Sequence, residues 1–106
     1  KLIEPLTRKQ TSILTQLRTG HAPLQSHLHS IGKAEHPNCL LCATGREDVR
    51  HYIMRCPKFH EARRRLRRRI GRAADHLEEL LTNGAHMDNL FQFINETKRF
   101  RTTYGR

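Results

Sequence analysis

Apolar residues at helical spacing predict a first helix near the start of the chain. Thr7 and Gln10 have the spacing of a capping box, in which each side chain bonds the backbone amide of the other. Ile13, Leu14 and Leu17 then fall on one face of the helix. The pattern therefore predicts an amphipathic helix with a well-defined beginning.

A second helix is predicted directly after a tight turn. Gly20 is a natural stop, because glycine adopts the left-handed conformation that ends many helices. Pro23 suits the first position of the next helix, in which Leu24, Leu28 and Ile31 recur at i, i+4 and i+7. Two helices joined in this way favour an antiparallel hairpin.

The periodicity disappears in the centre of the chain and returns in one short helix. No helical or strand pattern is visible from Lys33 to Arg46. A third helix is predicted from about Glu47 to Arg55, with the acidic Glu47 and Asp48 in its electropositive first turn.

Three further apolar patterns follow Pro57, which suits the first position of a fourth helix. The stripe of this helix consists of Phe59, Ala62, Leu66 and Ile70. Gly71 interrupts it, and a helical pattern then runs through Ala73, Ala74, Leu77, Leu80 and Leu81 as far as Asn83 and Gly84. The last helix is predicted to begin near Met87 and Asp88 and to carry Leu90, Phe91, Ile94 and Phe100.

All three cysteines and one histidine follow the spacing C-x2-C-x8-H-x4-C. They are Cys39, Cys42, His51 and Cys56. Three thiolates and one imidazole complete the tetrahedral shell that Zn²⁺ takes in structural sites, whereas disulfide pairing would leave one cysteine over. The alternative interpretation is that the cysteines are small buried side chains and His51 is an ordinary surface residue.

The geometry of the last two ligands requires a break in the helix. On one continuous α-helix His51 and Cys56 would point about 140° apart. Pro57 disfavours the α conformation at Cys56, so the chain can fold back towards the metal. His36 or His60 could replace His51 as the fourth ligand.

These elements predict an all-α fold, a small zinc-stabilised helical domain. It would form one unit over residues 1–106, with a helical hairpin in 1–32, the CCHC zinc site in 33–57, and the basic helix and C-terminal helices in 58–106. A zinc ion with four protein ligands has no open position for water, and no residue is well placed as a general base. We therefore expect neither catalysis nor a small-molecule substrate.

Composition points to a polyanionic partner. The chain of 106 residues has a formal charge of +10 and only 36% hydrophobic residues, so nucleic acid is the first candidate and an anionic membrane surface the second. No apolar stretch approaches the roughly 20 residues that span a bilayer, and nucleic acid rather than a membrane is the partner that we expect. Free thiols as metal ligands favour a reducing compartment. The expected location is intracellular and nuclear rather than secreted. The chain opens without Met, as an excised piece or a processed product would.

The cations concentrate around one predicted helix. The candidates for nucleic-acid contact are Arg55, Lys58, Arg63, Arg64, Arg65, Arg67, Arg68, Arg69 and Arg72, with Glu61 as the one acid among them. Guanidinium groups match phosphates well, and like charges at i, i+4 destabilise a helix that has no counter-charge. The alternatives are a solvated basic helix and a localisation signal.

Aromatic side chains that could stack on bases are few. The candidates are Tyr52, Phe59 and Tyr104, of which Phe59 is expected in the core. Recognition of the phosphate backbone or of shape is therefore favoured over base readout.

A series of short motifs resembles the C-terminal zinc region of non-LTR (LINE-type) retrotransposon reverse transcriptases. The series consists of Leu17 to His21, Pro23, Leu24, Leu28, Cys39, Cys42, Glu47, His51, Cys56 and Pro57, and the closing Leu90, Phe93, Ile94, Thr97, Arg99 and Phe100. The resemblance implies a CCHC zinc domain that binds element RNA or target DNA beside the polymerase. It also implies that Arg18 and His21 belong to a helix-hairpin motif, with a structural role or an RNA contact, and that Arg63 holds a position that is often basic.

Two functional hypotheses follow. The first is a non-catalytic, zinc-dependent module that binds RNA or DNA, as the C-terminal part of a retrotransposon reverse transcriptase. The second is a stand-alone or domesticated derivative, effector-like in one version, that docks a host protein through its apolar hairpin or its last helix.

Overall fold

The computed structural model describes residues 6–100, and the regular structure within them is helical. The α-helices are α1 (Arg8–Thr19), α2 (Gln25–Ser30), α3 (His60–Ile70), α4 (Leu77–Thr82) and α5 (Met87–Thr97). A π-helical turn covers His51–Arg55, and 3₁₀ turns cover Pro57–Phe59, Gly71–Asp75 and Gly84–His86. No strand occurs in these residues, so the all-α prediction is confirmed.

Helix α1 begins and ends as predicted. The Thr7 hydroxyl accepts a hydrogen bond from the Gln10 amide and the Gln10 side chain accepts one from the Thr7 amide, both at 3.0 Å. Gly20 ends the helix in the left-handed conformation, with φ of 81°. The predicted face, Ile13, Leu14 and Leu17, is buried. The helix that α1 contacts most is α4 rather than α2.

Helix α2 is shorter than the prediction. It begins at Gln25 instead of Pro23, because Leu24 has an extended backbone (φ −97°, ψ 161°). Its first amides bond to residue 47: the Gln25 amide donates to the Glu47 carboxylate at 2.8 Å, and the Ser26 amide donates to the Glu47 carbonyl at 3.0 Å. Ile31, predicted on the buried face, is 50% exposed beyond the end of α2.

The third predicted helix is reduced to two helical residues, 49 and 50, followed by the π turn His51–Arg55. Its two acidic residues behave differently. Asp48 accepts a hydrogen bond from the His51 amide at 2.8 Å, which is the expected role of an acid at a helix N-terminus. Glu47 does not lie in the first turn as predicted, because the helical backbone begins only at residue 49. Its side chain turns into the interior and is only 1% exposed. An ion pair with Arg99 compensates for its burial.

The region after Gly71 is divided in two. Gly71 adopts φ of 68° and ends α3, as expected for a residue without a β-carbon. His76 is then extended (φ −120°, ψ 101°), so the single helix predicted through Leu81 becomes a 3₁₀ turn followed by α4. Helix α5 begins at Met87 as predicted.

Tyr52 is at the centre of the core and lies next to the predicted ligand His51. Its ring centroid is 5.5 Å from that of Phe59, 5.8 Å from Phe93 and 5.3 Å from Phe100. Its hydroxyl donates to Thr97 Oγ1 at 2.7 Å, and burial raises its pKa. The π turn is thus attached to α5 by packing and by a hydrogen bond. None of the helices in residues 6–100 has the length and apolar character needed to cross a membrane.

Candidate metal centre and basic surface

A tightly bonded loop carries the first two predicted ligands. The Cys39 amide donates to the Gly45 carbonyl at 2.8 Å, and the Ala43 amide donates to the Cys39 carbonyl at 3.0 Å. An antiparallel bridge between Asn38 and Arg46 closes the loop. Backbone hydrogen bonds therefore hold the Cys-x2-Cys turn in a defined shape.

The four predicted ligands converge, with their donor atoms all within 4.8 Å of one another. Sγ of Cys39 lies 3.9 Å from Sγ of Cys56, and Sγ of Cys42 lies 3.4 Å from Nε2 of His51. A tetrahedral zinc site with ordinary Zn–S and Zn–N bonds has S···S edges of about 3.8 Å and S···N edges of about 3.6 Å. The three cysteines are free thiols. The donor set and its spacing fit a metal ion, and zinc in particular suits their chemistry.

The π turn brings the last two ligands together. The Cys56 amide donates to the His51 carbonyl at 2.7 Å, an i→i−5 bond that widens the helix and brings residues five apart to nearly the same side. Cys56 itself is extended (φ −60°, ψ 120°) before Pro57, as the sequence predicts. The break at Pro57 is confirmed, whereas the π turn has no signal in the pattern of apolar residues.

The two alternative histidines lie outside the metal group. Within residues 6–100, the one group of His, Cys, Asp or Glu that could hold an ion contains His51 and neither His36 nor His60. Nδ1 of His36 instead accepts a hydrogen bond from the Asn38 amide at 3.2 Å.

The thiols differ in acidity. Hydrogen bonds from Thr44, whose hydroxyl lies 3.0 Å from Sγ, lower the pKa of Cys42 to about 6. Burial raises the pKa of Cys56 to about 11. Thiolates are the form that binds zinc, and a dication among them favours that form at all three cysteines.

His51→Gln is expected to lower bound zinc well below one equivalent and to raise the dissociation constant by at least a hundredfold, because an amide is a poor zinc ligand. His60→Gln is the matched control, since His60 is exposed and outside the group. Zinc per chain after dialysis, together with competition by a chelating dye, measures both. Equal zinc content in the two variants would mean that the fourth ligand is misassigned.

Glu47 connects this centre to the rest of the domain. Its Oε1 accepts from the Gln25 amide at 2.8 Å and from Nη2 of Arg99 at 2.7 Å, and its Oε2 accepts from Nε of Arg99 at 2.7 Å. Its own amide donates to the Pro37 carbonyl at 2.8 Å. The carboxylate raises the pKa of Arg99. One buried residue thus joins the metal loop, α2 and the segment after α5.

Three of the arginines predicted to contact nucleic acid donate hydrogen bonds to other residues of the protein. Nε of Arg63 donates to the Ile53 carbonyl at 2.8 Å, so that α3 is bonded to the π turn. Nε of Arg69 donates to the Asn89 side chain at 2.9 Å. Arg18 donates to the Leu81 carbonyl at 2.6 Å, which favours the structural role over the RNA contact that the resemblance left open.

Three more arginines form exposed ion pairs. Arg64 pairs with Glu61 at 3.3 Å and Arg65 pairs with Glu96 at 3.2 Å. Arg67 pairs with Asp75 through its two terminal guanidinium nitrogens, Nη1 and Nη2. Pairs in water contribute little to stability and exchange readily, so these guanidinium groups remain accessible to phosphates.

The remaining predicted cations have no partner within the described part of the chain. These exposed side chains are Arg55, Lys58, Arg68 and Arg72, and we call them the free cations. Arg55 and Lys58 lie on either side of the Cys56–Pro57 step, and Arg68 and Arg72 lie at and beyond the end of α3. The basic surface is therefore real but smaller than the run of arginines suggests.

Neither of the two predicted stacking residues that the structure describes has an exposed ring. Tyr52 is fully buried and Phe59 is 7% exposed, while Tyr104 lies outside the described residues.

Comparison with protein-family models, with curated proteins and with solved structures finds no match for this chain. The metal centre and the basic surface are therefore the features of this chain that indicate its function.

Proposed function

We propose that the protein is a non-catalytic, zinc-stabilised module that binds the phosphate backbone of RNA or DNA. The observation that carries the proposal is the set of free cations, two of which flank a metal ligand. Exposed cations that form no ion pair within residues 6–100 are suited to binding a polyanion. Each guanidinium group can donate two parallel hydrogen bonds to the oxygens of one phosphate. Backbone contact of this kind supplies affinity without sequence readout.

Zinc would have a structural role in this module. Cys39, Cys42, His51 and Cys56 would hold the ion, and the ion would join the loop over residues 38–46 to the π turn. Arg63 bonds the same π turn to α3. The metal centre would therefore determine where the π turn presents Arg55 and where α3 presents Arg68, which explains why a charged surface needs a metal beneath it.

The biological setting that we propose is the one implied by the motif resemblance. In it the module lies beside a non-LTR reverse transcriptase, acts in the nucleus, and takes element RNA or target DNA as its ligand. The free thiols agree with a reducing compartment. Docking of a host protein is the competing function, and it would gain support if the binding experiment below gave no signal.

Neutralising the free cations (Arg55→Gln, Lys58→Gln, Arg68→Gln and Arg72→Gln) is expected to lower the slope of log affinity against log salt by about 3 for a single strand. The matched control neutralises four exposed cations elsewhere that are also without partners among residues 6–100, Arg8, Lys9, Lys33 and Arg50, and changes the net charge equally. Fluorescence anisotropy with a labelled RNA at several salt concentrations measures both slopes.

Circular dichroism and zinc content should be the same in the two variants. If the control set lowered the slope as much as the free cations, binding would be diffuse and the proposed surface would be wrong. Cleavage of the labelled RNA by the zinc-loaded protein would contradict the non-catalytic part of the proposal.

A further inference from the structure

No phenylalanine or tyrosine ring is exposed for base contact within residues 6–100, and the exposed aromatic rings there are imidazoles. The phenylalanines and the tyrosine of this range are Tyr52, Phe59, Phe91, Phe93 and Phe100, and all are buried. Proteins that bind single strands normally offer aromatic faces on which bases stack. Base contact from the described residues therefore depends on imidazole rings, on guanidinium planes or on exposed apolar side chains.

Two leucines at the metal centre are exposed instead. Leu40 is 69% exposed and Leu41 is 46% exposed, and they are the two residues between the ligands Cys39 and Cys42. The hydrogen bonds that shape the loop hold this pair in place at its tip. Ile31 is the other large apolar side chain exposed in residues 6–100.

Free cations border the same cluster of ligands. Sγ of Cys39, which precedes Leu40, lies 3.9 Å from Sγ of Cys56. Arg55 directly precedes Cys56, and Lys58 follows it by two residues. An exposed apolar pair and two exposed cations are thus attached to one compact centre, an arrangement that suits a ligand with both apolar and anionic parts.

We infer that Leu40 and Leu41 contact the bases of unpaired nucleotides while Arg55 and Lys58 contact the adjoining phosphates. The inference rests on the proposed function and specifies its ligand as a single-stranded or melted segment rather than an intact duplex. In a duplex the base faces are covered by stacking, and inserting a leucine requires a base step to be unstacked. An unpaired strand exposes those faces without that cost, and contact with them tolerates any sequence.

The test compares two RNA probes with nearly equal numbers of phosphates, a 16-nucleotide single strand and a blunt-ended duplex of 8 base pairs. The zinc-loaded protein is expected to prefer the single strand by about tenfold. Leu40→Ser/Leu41→Ser should lose about tenfold on the single strand and less than twofold on the duplex, which matches the burial of two partly exposed leucines. Ile31→Ser is the matched control, since Ile31 is similarly exposed but is not next to a ligand.

Zinc content and circular dichroism check that the leucine variant remains folded. The single substitution Leu40→Ser provides a second measurement, with an expected loss of about threefold in affinity for the single strand. Equal losses on the two probes, or unchanged affinity for the single strand, would overturn the inference. A loss of binding to phosphatidylserine vesicles without any loss on RNA would also overturn it. Failure of the proposed function is distinguishable, because the unaltered protein would then bind neither probe in a salt-dependent way.

Discussion

Cys56→Ser is expected to unfold the centre of the domain at neutral pH. Cys56 is completely buried, and its Sγ lies 3.9 Å from that of Cys39. Structural zinc supplies roughly 10–16 kcal/mol in small zinc domains, which is as large as the whole stability of an ordinary domain of about 5–15 kcal/mol. Loss of one thiolate would therefore remove most of the energy that holds the loop to the π turn.

The measurements are zinc per chain, thermal unfolding, and the near-UV circular dichroism of Tyr52, whose buried ring adjoins His51. Chelation of zinc from the unaltered protein should produce the same spectrum. Added zinc should then restore the unaltered protein but not the variant. A zinc-free Cys56→Ser protein that unfolds cooperatively at the normal temperature would show that the metal is dispensable for the fold.

The second large loss of stability is expected when the buried carboxylate of Glu47 is replaced. Glu47→Gln should lower the free energy of unfolding by about 3 kcal/mol, because removing one charge of a buried pair leaves the other uncompensated. This value is at the low end of such losses, since the Arg99 side chain keeps 20% of its surface in water. Urea unfolding of the zinc-loaded protein measures the change.

Glu61→Gln is the matched control, because Glu61 pairs with Arg64 on the surface. The loss there should stay below about 1 kcal/mol. Adding Arg99→Met to Glu47→Gln should recover part of the stability, since the unpaired guanidinium is then removed as well. If Glu47→Gln were as stable as Glu61→Gln, the ion pair would not support the domain.

Some arginines of the block form hydrogen bonds within the protein and others do not. The run of arginines alone therefore overestimates the number of side chains that are available to phosphates. Arg63, Arg68 and Arg69 are neighbours in the same block. Arg63 bonds to a carbonyl of the π turn and Arg69 bonds to a side chain of α5, whereas Arg68 is exposed and has no partner in the part of the chain that the structure describes. The helical period places these side chains on different faces, but only the packing of α3 determines which faces are covered.

Local chemistry in the sequence was sufficient for the starts of α1 and α5, the stop at Gly20 and the four candidate ligands, because caps, glycine conformation and ligand spacing act over a few residues. The tertiary structure alone decided the pairing of Glu47 with Arg99, 52 residues further along the chain, since no short-range pattern encodes the partner of a buried charge. It also decided that Leu40 and Leu41 stay exposed and that three predicted phosphate contacts, Arg18, Arg63 and Arg69, form hydrogen bonds within the protein. Those outcomes depend on which surfaces the folded helices cover, and that is a property of the whole chain.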